Sequence, residues 1–207
     1  MAAQANVTTY TCGIDIGVKN LAISFVPTLS GKSIISYKGP IECLLRFEED
    51  EDIKEFRMNG KSASHHECYT MLLEVIPEFK DTISTVIELQ LAMNKSDMSR
   101  LDGVAYGFLK GRYPNMTVNL NASTIRNKFI TDSIGSADTS EISLPRGYPT
   151  SKTQSFLFVG HKFPMHYAYI QQISEIDKID DICDSVVYAC LALVKYNVDK
   201  STRSRRR

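Results

Sequence analysis

The chain has 207 residues with 24 basic and 24 acidic side chains, so its formal net charge is zero. Hydrophobic residues make up 43% and charged residues 23%, which excludes wholesale disorder and predicts one globular domain. The zero balance argues against a uniformly basic nucleic-acid binder. Five basic residues nevertheless lie within the last eight positions, which leaves 19 basic against 24 acidic residues elsewhere. We therefore expect a domain over residues 9–197 and a basic tail, residues 198–207.

The N-terminal part predicts three short strands joined by tight connections. Apolar and β-branched residues mark strands over residues 10–16, 21–26 and 33–38, with a turn at residues 17–20 between the first two. Short strands with tight connections pair antiparallel, so we expect a meander. The acidic run at residues 48–52 is typical of a solvated loop.

A helix and a fourth strand follow the meander. Ser64 and Glu67 have the spacing of a capping box. The apolar residues behind them recur at the positions of one helical face: Cys68, Met71, Leu72, Val75, Ile76 and Phe79. Residues 85–89 then predict a strand. This order of elements indicates an α/β domain with a mixed sheet.

The second half of the chain is less regular. Apolar periodicity predicts a helix over residues 101–109, and residues 118–120 could form a fifth strand. Residues 131–172 contain many Ser, Thr, Gly and Pro positions, so we expect a loop-rich insertion there. A final helix is predicted from about Ile173 to Val194.

The five cysteines indicate free thiols rather than a disulfide framework. Their number is odd, and no two of them have the CxxC spacing. Such usage is typical of a reducing compartment, so we expect an intracellular protein. The four histidines show no zinc-ligand spacing with these cysteines.

Acidic residues stand at unusual places in this pattern. Asp15 lies inside an apolar strand, Glu88 ends another, and Asp180, Asp181 and Asp184 open an apolar helix. Burying an unpaired carboxylate costs several kcal/mol, so such residues usually have a partner. Taken singly, each has an ordinary explanation: backbone N–H donors in a turn, a surface arginine, or the dipole of a helix N-terminus.

Taken together, the acids favour a metal site. Asp181 and Asp184 are three residues apart and share one helical face, and Asp15 and Glu88 can lie on neighbouring strands. Converging carboxylates stay ionised together only if cations neutralise them, and hard oxygen ligands favour Mg²⁺ or Mn²⁺. Two such ions can activate a water and stabilise the leaving oxygen in phosphoryl transfer.

Three segments resemble the acidic motifs of RuvC-type Holliday junction resolvases. They are Gly13-Ile14-Asp15-Ile16-Gly17-Val18-Lys19-Asn20-Leu21-Ala22, Val86-Ile87-Glu88-Leu89-Gln90 and Lys178-Ile179-Asp180-Asp181-Ile182-Cys183-Asp184-Ser185. Lys-Asn after the glycine is most similar to the poxvirus and fungal mitochondrial resolvases. The motifs stand in the order of that family and span most of residues 9–197.

The resemblance implies a ribonuclease-H-like fold, a five-stranded mixed sheet flanked by helices. It implies a homodimeric, Mg²⁺-dependent endodeoxyribonuclease of DNA recombination and repair that makes paired symmetric nicks across four-way junctions. Two Mg²⁺ ions, replaceable by Mn²⁺, would be held by Asp15, Glu88, Asp181 and Asp184, with Asp180 as the alternative to Asp181. A viral origin, with action at replication sites in the host cytoplasm, is suggested by the resemblance alone.

The family also uses a lysine near the fifth strand, for which Lys128 is the first choice and Arg126 and Lys152 are alternatives. Its dimer helix corresponds to residues 101–109, whose apolar stripe is equally consistent with ordinary core. Phosphate contacts are expected from basic residues outside the acidic loop: Lys19, Arg100, Arg112, Arg126 and Lys152.

Aromatic and basic residues interleave within the insertion, from Tyr148 to Tyr167. They could stack on bases at a junction centre, or a loop could fold over its own small cluster.

Three other functions compete with junction cleavage. An RNA- or single-strand-directed nuclease of the same superfamily is the main alternative, and a non-catalytic junction-binding protein is another. A sugar kinase or actin-like ATPase shares the first motif, but it needs two such domains and further Gly-rich phosphate loops, which this chain lacks.

Overall fold

The structure is a computed structural model that describes residues 8–29, 31–57, 64–89, 98–145, 148, 150–173 and 178–204. Its strands are β1 (Tyr10–Asp15), β2 (Leu21–Pro27), β3 (Ile35–Gly39), β4 (Cys43–Glu48), β5 (Lys54–Arg57), β6 (Thr82–Glu88) and β7 (Thr117–Asn121). Its α-helices are α1 (His65–Val75), α2 (Met98–Arg112), α3 (Ser123–Ile134), α4 (Thr150–Lys162), α5 (Pro164–Gln172) and α6 (Ile179–Ser204). None of the helices in these ranges has the length and apolar character needed to cross a membrane.

The strands form one mixed sheet in the order β5-β4-β3-β2-β1-β6-β7. The pairs from β1 to β5 are antiparallel, and β6 lies parallel to both β1 and β7. The antiparallel meander is confirmed. Five consecutive strands of the sheet, β3-β2-β1-β6-β7, have the ribonuclease-H-like arrangement that was expected. The expected strand count of five was too low, because β4 and β5 extend the antiparallel edge.

Helices cover both faces of the sheet. Because side chains alternate along a strand, Cys12 and Ile14 of β1 point to one face and Gly13 and Asp15 to the other. Cys12 and Ile14 belong to a core shared with α1 and α2. A second core under α6 includes Val186 and also takes in residues of α4 and α5. This second face carries the candidate site.

The capping box at α1 is confirmed. The Ser64 hydroxyl accepts a hydrogen bond from the Glu67 amide at 3.3 Å, and the Glu67 carboxylate accepts one from the Ser64 amide at 2.8 Å. The buried side of α1 is made by Cys68, Tyr69, Leu72 and Leu73. Met71 and Val75, expected on that side, are 40% and 51% exposed because they flank it.

The acidic run, residues 48–52, lies at the hairpin between β4 and β5. The sequence did not predict these two strands. Glu48 ends β4, and its carboxylate pairs with Arg46 at 2.7 Å. Arg46 also pairs with Glu51 at 3.0 Å. The run is therefore partly neutralised by a cation of its own hairpin, while Asp50 and Asp52 are exposed.

The expectation of a loop-rich insertion was wrong for much of residues 131–172. Helix α3 continues to Ile134, and α4 and α5 occupy most of the rest. Four members of the interleaved aromatic and basic set are core residues here: Phe156, Phe158, His166 and Tyr167 are at most 4% exposed. Packing against α6 selects helices that the irregular apolar periodicity did not reveal.

Helix α6 begins at Ile179 and runs to Ser204. The predicted start near Ile173 was too early, and the helix extends into the segment assigned to the basic tail. Arg205, Arg206 and Arg207 lie outside the described residues. The five cysteines are free thiols, as predicted.

His166 is a buried base whose protonation is expected to destabilise the fold. It is 1% exposed, and neither ring nitrogen has a hydrogen-bond partner among the described residues. Burial lowers the pKa of His166 to about 4. The nearest acid, Glu49 Oε1, is 3.7 Å from Nδ1, which is beyond hydrogen-bond reach.

The folded protein binds a proton at His166 less readily than the unfolded chain does. The free energy of unfolding should therefore be highest above a pH of about 6.5 and should fall as the pH drops toward 4. We expect a loss of about 3 kcal/mol over that window. Guanidinium unfolding between pH 7.5 and 4.5 measures it, and His166→Met, which cannot titrate, should lose less stability over the same range. Equal pH slopes for the two proteins would contradict the assignment.

Candidate active site

Two carboxyl groups meet at the end of the parallel strand pair. Asp15 and Glu88 are the last residues of β1 and β6, and the pairing of Ile14 with Ile87 places them side by side. Asp15 is 9% exposed and shares a hydrogen bond with Glu88. Burial is the main reason why the pKa of Asp15 is raised well above its usual value, and Glu88, Asp184 and Asp181 add to it. The predicted placement of Asp15 and Glu88 on neighbouring strands is therefore present.

Helix α6 brings Asp184 toward the ends of β1 and β6. The helix crosses β1 at close range, since the backbone oxygen of Ser185 lies directly over Gly13. The Ser185 hydroxyl is hydrogen-bonded to that of Ser24 on β2 at 2.7 Å, which fixes the helix against the sheet. Burial raises the pKa of Asp184 to about 6, although Arg126 opposes the shift.

Each acid in the first turns of α6 has a cationic partner from a different element. Arg126 of α3 forms an ion pair with Asp184, and the Ser155 hydroxyl of α4 donates a hydrogen bond to the same carboxylate. The other two pairs are Lys38 of β3 with Asp181, at 2.5 Å, and Lys152 of α4 with Asp180. Three basic side chains thus offset a cluster of carboxylates that would otherwise repel one another.

Asp180 and Asp181, the two rival ligands, differ in their surroundings. Asp181 is among the charges that act on Asp15, together with Glu88 and Asp184. Asp180 is 3% exposed and lies against Lys152. These surroundings are consistent with Asp181 as the ligand that accompanies Asp184.

The basic residues predicted for the site divide into two groups. Arg126 and Lys152, the two alternatives for the catalytic lysine, contact the acids. Lys128, the first choice, is 77% exposed and pairs with Asp132 at 2.9 Å, one helical turn further along α3. The structure therefore does not bring Lys128 to the carboxylates of the candidate site.

The predicted DNA-contacting residues Lys19 and Arg112 lie in different parts of the fold. Lys19 is exposed in the β1–β2 turn, directly after the acid end of β1. Arg112 ends α2, which leads to the start of β7, at the opposite end of the parallel strands from the acids. The Arg112 guanidinium lies 5.9 Å from the centre of the Tyr113 ring. The side chain of Arg100 is not among those described.

Sequence reasoning missed two side chains of the site, Lys38 and Ser155. Lys38 lies in an otherwise apolar or small-residue strand, which is the signal that singled out Asp15. The same criterion, applied to basic as well as acidic residues, would have found it. Ser155 carries no such signal, because a serine in an amphipathic helix has many ordinary roles.

The donor set fits a hard divalent cation by its chemistry. All four predicted ligands offer carboxylate oxygens. The pKa of Asp15 is raised first by burial and then by the charges of Glu88, Asp184 and Asp181, and a bound cation would offset those charges. Within the described residues, however, no three His, Cys, Asp or Glu side chains are already arranged as a metal-binding group. Asp181 and Asp184 are paired with Lys38 and Arg126, so they would have to exchange partners to hold an ion.

Comparisons with known proteins gave similarity in structure. No protein-family model matches the chain, and no curated protein matches it either. The Fowlpox virus resolvase, solved with substrate Holliday junction DNA, is 14% identical over 92% of this chain and 98% of that one, with a TM-score of 0.43.

Two structures of RuvC from Thermus thermophilus are similar to the same degree. The one with a Holliday junction substrate is 12% identical over 87% of this chain and 90% of that one, with a TM-score of 0.43. The other is 14% identical over 87% and 91% of the two chains, again with a TM-score of 0.43. These proteins belong to the class that the sequence motifs resemble, and at such identity the likeness concerns the fold.

Proposed function

We propose that this protein is a metal-dependent endodeoxyribonuclease that resolves four-way DNA junctions by paired nicks. The observation that supports it best is that Asp15 and Glu88 end neighbouring parallel strands, with the charges of Asp181 and Asp184 acting on Asp15. Buried acids in such number suit chemistry on a phosphate when cations are shared between them. The choice of a junction as substrate rests on the three motifs that resemble resolvases.

Asp15, Glu88, Asp181 and Asp184 would hold two Mg²⁺ or Mn²⁺ ions. When bound, these ions supply an activated water and charge neutralisation at the leaving oxygen. Asp15 and Glu88 are the last residues of their strands, and Glu88 is the more exposed of the two, so a DNA backbone would approach them from the strand ends. Holding the acids on two strands and a docked helix fixes their separation before substrate arrives.

Arg126 is the best-placed side chain to offset charge that builds on the phosphate. Its guanidinium is 10% exposed and interacts electrostatically with Asp184, Glu88 and Asp15. It also lies 5.9 Å from the centre of the Tyr188 ring, which restricts its position. A preorganised cation at the reacting phosphate is a large term in such reactions.

A four-way junction with each strand labelled in turn tests the proposal. With Mg²⁺ or Mn²⁺, we expect nicks at symmetric positions on two opposing strands and no cleavage in the presence of a chelator. Linear duplex and an RNA–DNA hybrid of the same sequence serve as controls. Faster cleavage of the hybrid would favour the RNA-directed alternative, and no cleavage of any substrate would refute a nuclease.

Paired nicks require two active sites, so we also propose a homodimer. Helix α2 follows the strand that carries Glu88, and it exposes Gly103, Gly107 and Gly111 at four-residue spacing along one side. Small residues in this pattern allow a second helix to approach closely. Exposed Tyr106 lies next to this strip.

Arg126 and Lys128 provide a matched pair of substitutions on one helix. Arg126→Met is expected to lower the single-turnover cleavage rate by about 100-fold, because it removes the cation beside Asp184. Lys128→Met removes the same charge at an exposed position and should change the rate little. Rates are compared on protein shown to be folded by circular dichroism, with Arg126→Lys as a better-folded variant. Equal losses at both positions would contradict the assignment.

A further inference from the structure

Lys38 lies in line with the acids across the sheet. Asp15 is opposite Ala22 on β2, and Ala22 is opposite Lys38 on β3. Residues opposite one another in neighbouring strands point to the same face, so Lys38 shares the α6 face with Asp15. Ala22 between them carries only a methyl group, which leaves room for the lysine stem above the sheet.

The Lys38 ammonium is buried against one carboxylate. The side chain is 5% exposed, and its Nζ is 2.5 Å from Asp181 Oδ2, which is 13% exposed. An ammonium at such depth is costly unless it is paired, and Asp181 is its ion-pair partner among the described residues. The second cation near Asp181, Lys152, is further away at 3.9 Å and is 40% exposed.

The acid cluster of the proposed nuclease has a folding problem that Lys38 relieves. Burial disfavours the ionised form of Asp15, and the charges of Glu88, Asp184 and Asp181 disfavour it further. Lys38 offsets one of these charges with a group that belongs to the chain. The same ammonium also contacts an oxygen that a divalent cation would need.

We propose that Lys38 is a built-in counter-ion of the metal site, and that a divalent cation binds by displacing its ammonium from Asp181. This inference rests on the proposed metal-dependent function. Lys38 then stabilises the protein without metal and weakens its affinity for metal, because ammonium and metal ion repel each other and compete for one carboxylate. A purely structural ion pair would stabilise the fold without opposing the cation.

Mn²⁺ binding to DNA-free protein, followed by calorimetry, separates these roles. Lys38→Met is expected to bind Mn²⁺ about tenfold more tightly, since one nearby charge shifts an ionic equilibrium by one or more orders of magnitude. Its unfolding temperature should be lower than that of the parent protein without Mn²⁺ and should rise more when Mn²⁺ is added. Lys38→Gln, which keeps a donor for Asp181 without the charge, should behave in the same direction and guards against misfolding of the Met variant.

Two controls test whether tighter Mn²⁺ binding comes from the loss of the Lys38–Asp181 ion pair. Lys128→Met removes a lysine that is 77% exposed and should leave Mn²⁺ affinity unchanged. Combining Lys38→Met with Asp181→Asn should abolish the gain, because the carboxylate released from the lysine is no longer there. Unchanged or weaker Mn²⁺ binding in both Lys38 variants would overturn the counter-ion role.

The outcome for the parent protein keeps the two proposals distinct. If the parent cleaves junctions and binds Mn²⁺ but the Lys38 variants bind it no better, the nuclease stands and the counter-ion role fails. If the parent neither cleaves nor binds Mn²⁺ in a manner that depends on Asp15, both proposals fail.

Discussion

Replacing Asp15 or Asp184 with asparagine is expected to abolish junction cleavage and to leave junction binding intact. Each substitution removes a carboxylate from the group proposed to hold the metal ions, and we expect the single-turnover rate to fall by about 10³-fold or more. Binding to phosphates should persist, because a negative charge is removed from the surface proposed to meet DNA. Cleavage of a labelled junction and fluorescence anisotropy of the same junction provide the two measurements.

The two variants should differ in stability. The pKa of Asp15 is raised, so its ionised form is disfavoured in the folded protein, and an amide of the same shape relieves that penalty at pH 7. The pKa of Asp184 is also raised, but this carboxylate pairs with Arg126, so its replacement leaves a buried guanidinium without its ionic partner. Asp15→Asn should therefore be at least as stable as the parent protein, while Asp184→Asn should be less stable.

Asp132 offers a matched control for these substitutions. It is 60% exposed and pairs with Lys128 on the surface of α3, away from the acid cluster. Asp132→Asn should keep full cleavage and binding. Loss of binding in the Asp15 or Asp184 variants, or retained cleavage in either, would refute the division between metal-holding and DNA-holding residues.

The acids of the site could be predicted because they violate the local pattern. Asp15 interrupts an apolar strand, and Glu88 ends another, so each needs a partner wherever the strand is placed. The antiparallel meander also follows from local signals, since short strands with tight turns have few other ways to pair. These inferences needed no knowledge of which elements meet in space.

The partners of the acids could not be predicted, because they depend on long-range packing. Arg126 and Lys128 are two residues apart, and only the docking of α3 against α6 decides which of them reaches Asp184. Asp180 and Asp181 raise the same difficulty, because the rotation of α6 on the sheet decides which of them pairs with Lys38 and which with Lys152. Residue spacing alone left both choices open.

Gly13→Ala is expected to be the most damaging single-methyl substitution in the sheet. A Cβ at this position would fall inside the van der Waals radii of Ser185 O and Ala189 N, and 2.8 Å from Tyr188 Cβ. Two of these atoms belong to the α6 backbone, which cannot move without shifting the whole helix. We expect a loss of about 3 kcal/mol or more in the free energy of unfolding, or failure to fold.

Gly160→Ala is the appropriate comparison, because the same methyl is added at another buried glycine. There the nearest atom is Ile142 Cγ2 at 2.7 Å, the end of a flexible side chain, and Tyr167 Cδ1 follows at 3.2 Å. The helical preference of alanine over glycine, about 1 kcal/mol, offsets this contact. Chemical denaturation of the two variants should thus give a large loss at Gly13 and a change below about 1 kcal/mol at Gly160. Similar losses would show that α6 can retreat from β1.

The functional consequence follows from the position of this contact. Gly13 lies two residues before Asp15 on the same side of β1, and Ser185 directly follows Asp184 on α6. Any fold that accommodates the extra methyl must move α6 away from the sheet and separate the two carboxylates. Gly13→Ala protein that remains folded at low temperature should therefore show weakened Mn²⁺ binding and slow cleavage, whereas Gly160→Ala should retain both. Normal Mn²⁺ affinity in folded Gly13→Ala protein would mean that the close approach of helix and strand does not set the metal site.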